Sequence, residues 1–282
     1  MRTNKNNHSL QDMRIGFLGA GSIVEAILNG IIKNNLLSAD RIVVTNRSND
    51  DQLQKLTNQY MIHATRDSES LVKNCDVLIL AMKPKDAQEA CLSLRGLVDE
   101  HHLIVSVIAG ISTTLINEWL GVNCPVIRTM PNTSSAVGLS ATGIAKGNFA
   151  CAHHLTLASQ LFESIGSVYS VVEDELDIVT GLSGSGPAYI YYLVEAMEGA
   201  GTMAGLTPTM ARQLTVQTLL GAAQMLMHTN EEPAVLRHKV TSPGGTTQAG
   251  LEVLENFEVK RAFFSAILRA TERARELGAQ FR

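Results

Sequence analysis

Short unbroken apolar runs alternate with longer amphipathic stretches through the first half of the chain. Arg14–Gly19, Arg41–Thr45, Asp76–Ala81, Leu103–Val107 and Pro125–Thr129 are rich in Ile, Val and Leu and too short for helices, which predicts strands. Between them Ile23–Lys33, Asp51–Gln59, Lys85–Leu94 and Thr113–Leu120 have helical spacing. Strands separated by helices of this length imply βαβ units and a parallel sheet. The strands are apolar throughout rather than alternating, which implies a sheet covered on both faces.

After about residue 172 the pattern changes. Tyr189–Ala204 carries apolar residues at 190, 193, 194 and 197, and Leu219, Ala222, Ala223 and Leu226 repeat that helical spacing. Thr209–His228, Gln248–Glu255 and Lys260–Leu277 also read as helices, with Pro208 placed as a helix start. The expected division is a flexible tail over 1–12, a sheet domain over 13–172 and an all-α domain over 173–282.

Composition narrows the function classes. Lys plus Arg number 23 and Asp plus Glu 27, a net charge of −4, and no basic tract is present, which argues against a nucleic-acid partner. No apolar run approaches the length of a membrane span, and residues 1–12 lack the apolar stretch of a signal peptide. Cys75, Cys91, Cys124 and Cys151 form no C-x-x-C, so a reduced, cytoplasmic protein is expected. The doublets His101-His102 and His153-His154 lack metal-ligand spacing; no metal is expected, and these side chains read as solvated. The tyrosines at 189, 191 and 192 and the methionines at 197, 203, 210, 225 and 227 read as packing residues. Charged residues make up only 18% of the chain, against about 25% in typical domains, and that shortage asks for a cause.

The first strand runs into Gly19-Ala20-Gly21-Ser22-Ile23-Val24 and then directly into a helix. Gly19 permits a tight turn, and Gly21 lets a pyrophosphate approach the free N–H groups of the helix start. The third glycine of a G-x-G-x-x-G motif is replaced by Val24. At the first strand–helix turn of a βαβ run, this pattern predicts a dinucleotide site. The second strand ends in Asn46-Arg47-Ser48 rather than in the acid that binds an NAD ribose. Arg47 can pair with a 2′-phosphate, so NADP(H) is favoured and NAD(H) remains open. Asp50 and Asp51 lie at the next helix start, where they can cap it. Ala81-Met82-Lys83-Pro84, Ala109-Gly110 and Asn132 stand at later strand ends and border the same crevice.

Thr241-Ser242-Pro243-Gly244-Gly245-Thr246-Thr247 precedes a further helix and reads as either a small anion nest or a structural cap. Ser183-Gly184-Ser185-Gly186-Pro187 misses the G-x-S-x-G elbow, which disfavours a serine hydrolase.

Together these motifs resemble the pyrroline-5-carboxylate reductase family. The resemblance rests on Gly16–Gly21, Ala81–Pro84, Met130-Pro131-Asn132-Thr133, Ser183–Tyr189 and Ser242–Thr247, spread over nearly the whole chain. It implies an α/β fold with an N-terminal Rossmann-type parallel-sheet domain and a C-terminal all-α dimerisation domain. It also implies NAD(P)H-dependent reduction of a cyclic imine acid to L-proline, the last step of proline biosynthesis, by dimers that often assemble into decamers. Carried over residue by residue, Thr247 is the candidate to hydrogen-bond the substrate nitrogen. Gly244, Gly245 and Thr246 would supply N–H groups to the carboxylate, with Ser242 opening the nest. Gly19, Ala20, Gly21, Ser22 and Ile23 correspond to the pyrophosphate turn, and Asn46, Arg47 and Ser48 to the adenosine phosphate. Ala81, Met82, Lys83 and Ala109 correspond to ribose and nicotinamide contacts. Ser134 departs from the family's usual proline, and Asn230, His238 and Lys239 stand where some relatives have other polar residues.

Three other functions compete with this one. A β-hydroxyacid dehydrogenase wants a lysine acid/base on the long helix of its second domain, yet no lysine occurs between Gly147 and His238. A reductase of another cyclic imine and a non-catalytic NADP-binding paralogue are the alternatives that the sequence leaves open. The charge shortage localises: from Leu176 to Thr229 only Asp177, Glu195, Glu198 and Arg212 are charged. Such a segment would expose large apolar patches unless it forms a subunit interface.

Overall fold

The computed structural model describes residues 9–281, and the chain divides into two compact units. One runs through Ser185 and takes back the final stretch from Arg269; the other is Gly186–Leu268. Residues 1–8 of the expected tail lie outside the described residues. Leu10–Asp12 forms a 3₁₀ turn with Leu10 buried, so this part of the expected tail packs on the domain.

The first unit is built as β1 (Ile15–Leu18), α1 (Ser22–Lys33), β2 (Ile42–Thr45), α2 (Asp50–Tyr60), β3 (His63–Ala64), α3 (Ser68–Asn74), β4 (Val77–Leu80), α4 (Pro84–Ser93), β5 (Leu103–Ser106), α5 (Thr113–Leu120) and β6 (Val126–Met130). It continues through β7 (Ser140–Lys146), α6 (Ala152–Glu163), β8 (Gly166–Ser170) and the short α7 (Leu176–Val179). The strands form one sheet in the order β3-β2-β1-β4-β5-β6-β7-β8, with every pairing parallel except β6 with β7. The first six strands follow the doubly wound 3-2-1-4-5-6 order, whose crossover between β1 and β4 leaves a ligand crevice at the strands' carboxyl ends.

Covering both faces explains the unbroken apolar strands. In β4, Val77 and Ile79 join one core with Phe17, Ile27, Ile31 and Phe162, while Leu78 and Leu80 join the other with Ile104, Ile116 and Val126. All four β4 residues are fully buried, each contributing about 1.5–3 kcal/mol by leaving water. Helix starts are set by side chains: Asn49 accepts from the Gln52 N–H, Asp67 from Ser70 and Ser112 from Leu115. Asn49, not Asp50 or Asp51, therefore caps α2.

β3, β7 and β8 escape the apolar pattern. β3 has two exposed residues, and β8 (GSVYS) is mostly exposed; both are strands because a neighbour offers them backbone partners.

Three of the four doublet histidines differ from the solvated expectation: His153 and His154 are half-buried, with His153 Nε2 shielded from solvent. His102 is buried, its Nδ1 2.7 Å from Asp99 Oδ1 and its Nε2 3.1 Å from the Val72 carbonyl, whereas His101 is exposed. Cys75, Cys91 and Cys124 are buried and unpaired. Burial pushes the Cys75 thiol up to about 11 and the other two to about 12.

A second buried network was not visible in the sequence. Arg128 on β6, almost wholly buried, lies 3.1 Å from Asp177 Oδ1 and 3.8 Å from Glu173 Oε1. Glu173 in turn accepts from the N–H and hydroxyl of Thr113, both at 2.7 Å, which ties the start of α5 to the segment before α7.

After α7 the chain makes a π turn over Thr180–Gly184. The second unit then contains α8 (Gly186–Met203), α9 (Pro208–Thr229), α10 (Pro233–Lys239), α11 (Thr246–Asn256) and the first half of α12 (Val259–Ala279). Pro208 and Pro233 stand at helix starts, and α10 is an element that the sequence pattern did not show. α8 and α9 approach at Gly201, where an added Cβ would stand 3.2 Å from Ala211 Cβ. Glu198 and Arg212 pair across these two helices at 3.7 Å. α8, α10 and α11 bury no residue, and α9 buries only Ala211 and Thr215. Tyr192, Met203, Met227 and Phe264 are each more than two-thirds exposed. The tyrosines and methionines read as packing residues therefore do not form a core within one chain.

Candidate functional site

The carboxyl ends of β1, β2, β4 and β5 converge on one edge of the first unit. The Gly19 N–H donates to the Thr45 carbonyl at 2.8 Å, and the Ala81 N–H donates to the Leu18 carbonyl at 2.9 Å. The next step along the edge is the Val107 N–H donating to the Leu80 carbonyl at 3.1 Å. Gly19 has φ +123°, and a Cβ there would overlap the Ala81 carbonyl group, so glycine is required on two counts. Past it, Gly21 is the N-cap of α1 with no capping side chain, and a Cβ built on it meets nothing within 4 Å. The first-turn N–H groups of this helix have no acceptor within the helix, and the space beside Gly21 is open, as a bound pyrophosphate needs. Val24, in place of a third glycine, is fully buried in the core beneath α1. A dinucleotide therefore fits the residues present at the turn.

Of the sequence-predicted residues, Gly19, Ala20, Gly21, Ser22, Ile23, Asn46, Arg47, Ser48, Ala81, Met82, Lys83 and Ala109 all lie on this edge, in or just after its strand ends. Arg47 is 76% exposed, with its Nη1 3.4 Å from Asp86 and 3.5 Å from Glu89. Asn46 is committed to its own loop: Nδ2 donates to the Asn49 carbonyl at 2.7 Å, and Oδ1 accepts from the Asn49 N–H at 3.0 Å. Arg66, which the motif reading missed, reaches Asn46 from the segment after β3. Asn132 is likewise occupied, its Oδ1 accepting from the Ser134 N–H and its Nδ2 donating to the Ser183 carbonyl, both at 3.1 Å.

The loop after β5 has a support the sequence did not reveal. Gly110 meets Gly278 near the end of α12, where a Cβ on Gly278 would lie 2.6 Å from the Gly110 carbonyl oxygen. Phe281 then stands edge-to-face on Trp119, with ring centroids 6.3 Å apart.

In the second unit, Ser242, Gly244, Gly245, Thr246 and Thr247 form the turn into α11, with Gly245 as N-cap and Gly244 at φ +70°. Two of the expected donors are used within the turn. The Gly245 N–H donates to the Ser242 carbonyl at 3.0 Å, and the Gly244 N–H donates to Gln248 Oε1 at 2.8 Å. The first helical bond of α11 runs from Ala249 to Gly245, so the N–H groups of Thr246, Thr247 and Gln248 precede it and point out of the helix start. Both threonines are exposed. Gln248 was missed because its role depends on a side chain folding back onto the turn. Among the described residues no three His, Cys, Asp or Glu side chains gather to hold a metal ion.

Comparison with known proteins matches residues 173–277 to the family model described as pyrroline-5-carboxylate reductase dimerisation. Residues 14–110 match the model described as NADP oxidoreductase coenzyme F420-dependent. A pyrroline-5-carboxylate reductase of Bacillus spizizenii is 45% identical over 98% of this chain and 95% of its own length. One from Arabidopsis thaliana is 37% identical over 95% of this chain and 96% of its own. The solved reductase of Coxiella burnetii superposes with a TM-score of 0.88 at 38% identity, covering 94% of this chain and 98% of that one. The Plasmodium falciparum enzyme, solved with NADP bound, gives 0.86 at 25% identity over 95% and 99%. With the glycine turn, the doubly wound sheet and the S-P-G-G-T-T turn all in place, the chain belongs to the pyrroline-5-carboxylate reductase family.

Proposed function

We propose that this chain reduces 1-pyrroline-5-carboxylate to L-proline with NADPH in preference to NADH, as a self-associated cytoplasmic enzyme. The observation that carries the reading is the turn into α11. Its exposed Thr246 and Thr247 N–H groups suit a carboxylate, and hydroxyls stand beside them. A reduced nicotinamide dinucleotide bound along the strand edge supplies the hydride.

The remaining work falls to positioning. Gly19 and Gly21 leave the α1 N–H groups free for the pyrophosphate, and Ala81, Met82, Lys83 and Ala109 form the wall beside it. In the second unit, the α11 donors hold the substrate carboxylate, and Thr247 Oγ1 hydrogen-bonds the ring nitrogen. An imine nitrogen enters already protonated, so no buried acid with a strongly shifted pKa is needed. Holding two reactants at near-attack distance is itself worth up to about 7–11 kcal/mol.

Arg47 supports NADPH, since its weak, exposed ion pairs leave it free to swing onto a 2′-phosphate. The exposed apolar helices of the second unit support self-association. The unpaired buried thiols suit a reducing compartment, and among the described residues no helix is long and apolar enough to cross a membrane.

The test is cofactor oxidation with and without pyrroline-5-carboxylate. Substrate-dependent oxidation, faster with NADPH, is expected. Cofactor binding without turnover would instead indicate a non-catalytic paralogue, and turnover of a different cyclic imine alone would move the substrate assignment.

A further inference from the structure

Two guanidinium groups and three carboxylates surround the loop after β2, and the two arginines are held very differently. Arg47 touches Asp86 and Glu89 only at 3.4 and 3.5 Å. Arg66 is anchored at several points. Its Nη1 donates to the Asn46 carbonyl at 2.6 Å and to Asn46 Oδ1 at 3.0 Å. Its Nε donates to Asp50 Oδ1 at 3.1 Å, and its Nη2 reaches the same oxygen. Asn46 in turn closes the loop through its two bonds with Asn49.

We propose that Arg66 is a positioning and specificity residue of the adenosine end: it holds the Asn46–Ser48 loop in its binding shape and neutralises Asp50, so that a 2′-phosphate is accepted there. This rests on the NADPH reading above.

The physical case has two parts. Asp50 is the first residue of α2, two positions beyond Ser48, and its carboxylate would repel a 2′-phosphate held by that loop. Arg66 cancels this charge through a charge-assisted bond, which is stronger than a neutral one. Its second contact fixes the backbone at Asn46, just before Arg47 and Ser48. A loop held in advance loses less entropy when it binds. A free 2′-hydroxyl carries no charge for Asp50 to repel and gives Arg47 no anion to hold, so NADH gains less from either effect.

Binding of 2′,5′-ADP and 5′-AMP, measured by calorimetry on the intact protein, isolates the 2′-phosphate from turnover. Arg66→Ala is expected to weaken 2′,5′-ADP about tenfold while changing 5′-AMP less than about twofold. Arg66→Gln keeps a donor for the Asn46 carbonyl without the charge, and is expected to fall between Arg66→Ala and the parent. Adding Asp50→Asn to Arg66→Ala is expected to restore part of the 2′,5′-ADP affinity, a recovery that a merely structural role would not produce. Unchanged 5′-AMP affinity shows that each variant is folded. If the parent protein prefers 2′,5′-ADP and Arg66→Ala keeps that preference in full, this proposal fails alone. A parent that binds both nucleotides equally overturns the NADPH reading with it.

Discussion

The two units of this chain bury their apolar residues to opposite degrees. In the first, the core residues of β1, β4 and β5 are nearly all inaccessible on both faces of the sheet. In the second, four helices between Gly186 and Asn256 bury only Ala211 and Thr215, while Tyr191, Tyr192, Met203 and Met227 stand exposed. Both contain well-formed helices, so helix propensity does not separate them. The difference is where the apolar surface finds its partner. The first unit finds it within itself. The second has too few inward positions, and its apolar faces call for another copy of the chain. The low charge of Leu176–Thr229 is the compositional trace of that requirement.

The most damaging change for this comparison is placed on the exposed apolar faces. Leu220→Glu with Met227→Glu is expected to turn the assembly into monomers by light scattering and to abolish turnover. The first unit should keep its 5′-AMP binding. A fully associated, active double variant would break the contrast between the units.

Within the self-sufficient unit, Gly19→Ala is the most severe change expected. It forces a Cβ into the Ala81 carbonyl at a backbone angle other residues rarely adopt, a strain of about 1–3 kcal/mol. NADPH binding should weaken by about ten- to a hundredfold in a fluorescence titration, with the oligomeric state unchanged.

Thr247→Ala tests the other unit's chemistry. Losing one neutral hydrogen bond, about 0.5–1.5 kcal/mol, should lower kcat by up to about tenfold and leave NADPH affinity intact. Thr247→Ser should keep most of the activity, and equal turnover in all three proteins would remove Thr247 from the mechanism.

A smaller effect is expected at the α12 contact. Gly278→Ala would press on the Gly110 carbonyl and raise the KM for NADPH a few-fold, with a lower Tm. The mildest test is chemical. At pH 8, the three buried thiols, pushed to about 11 or 12, are well below their ionisation points and should ignore a thiol reagent. Cys151, the exposed one, should react at once, and the other three only after unfolding.

What could be read from the chain follows the range of the forces involved. The five apolar strands, the G-x-G turn and the S-P-G-G-T-T turn are local patterns, and the structure places them where the pattern predicts. β7 and β8 are polar or glycine-bearing segments whose strand character comes from the partner beside them. Gln248 folding onto Gly244 takes one of the N–H groups expected for the substrate, a competition that residue types do not reveal. His102 differs from its neighbour His101 because Asp99 and the Val72 carbonyl give both of its ring nitrogens a partner inside the fold.

Sequence by itself determined the five apolar strands with the helices between them, the glycine turn and the scarcity of charge over Leu176–Thr229. Each is a property of consecutive residues, set by side-chain volume, backbone freedom and the cost of leaving apolar surface in water. Only tertiary structure decided that Arg66 grips the loop after β2 and that Gly278 abuts Gly110. It also decided that Arg128 lies buried between Glu173 and Asp177. Those contacts join residues far apart in the chain, and their energy exists only once the sheet has brought them within hydrogen-bonding or van der Waals reach.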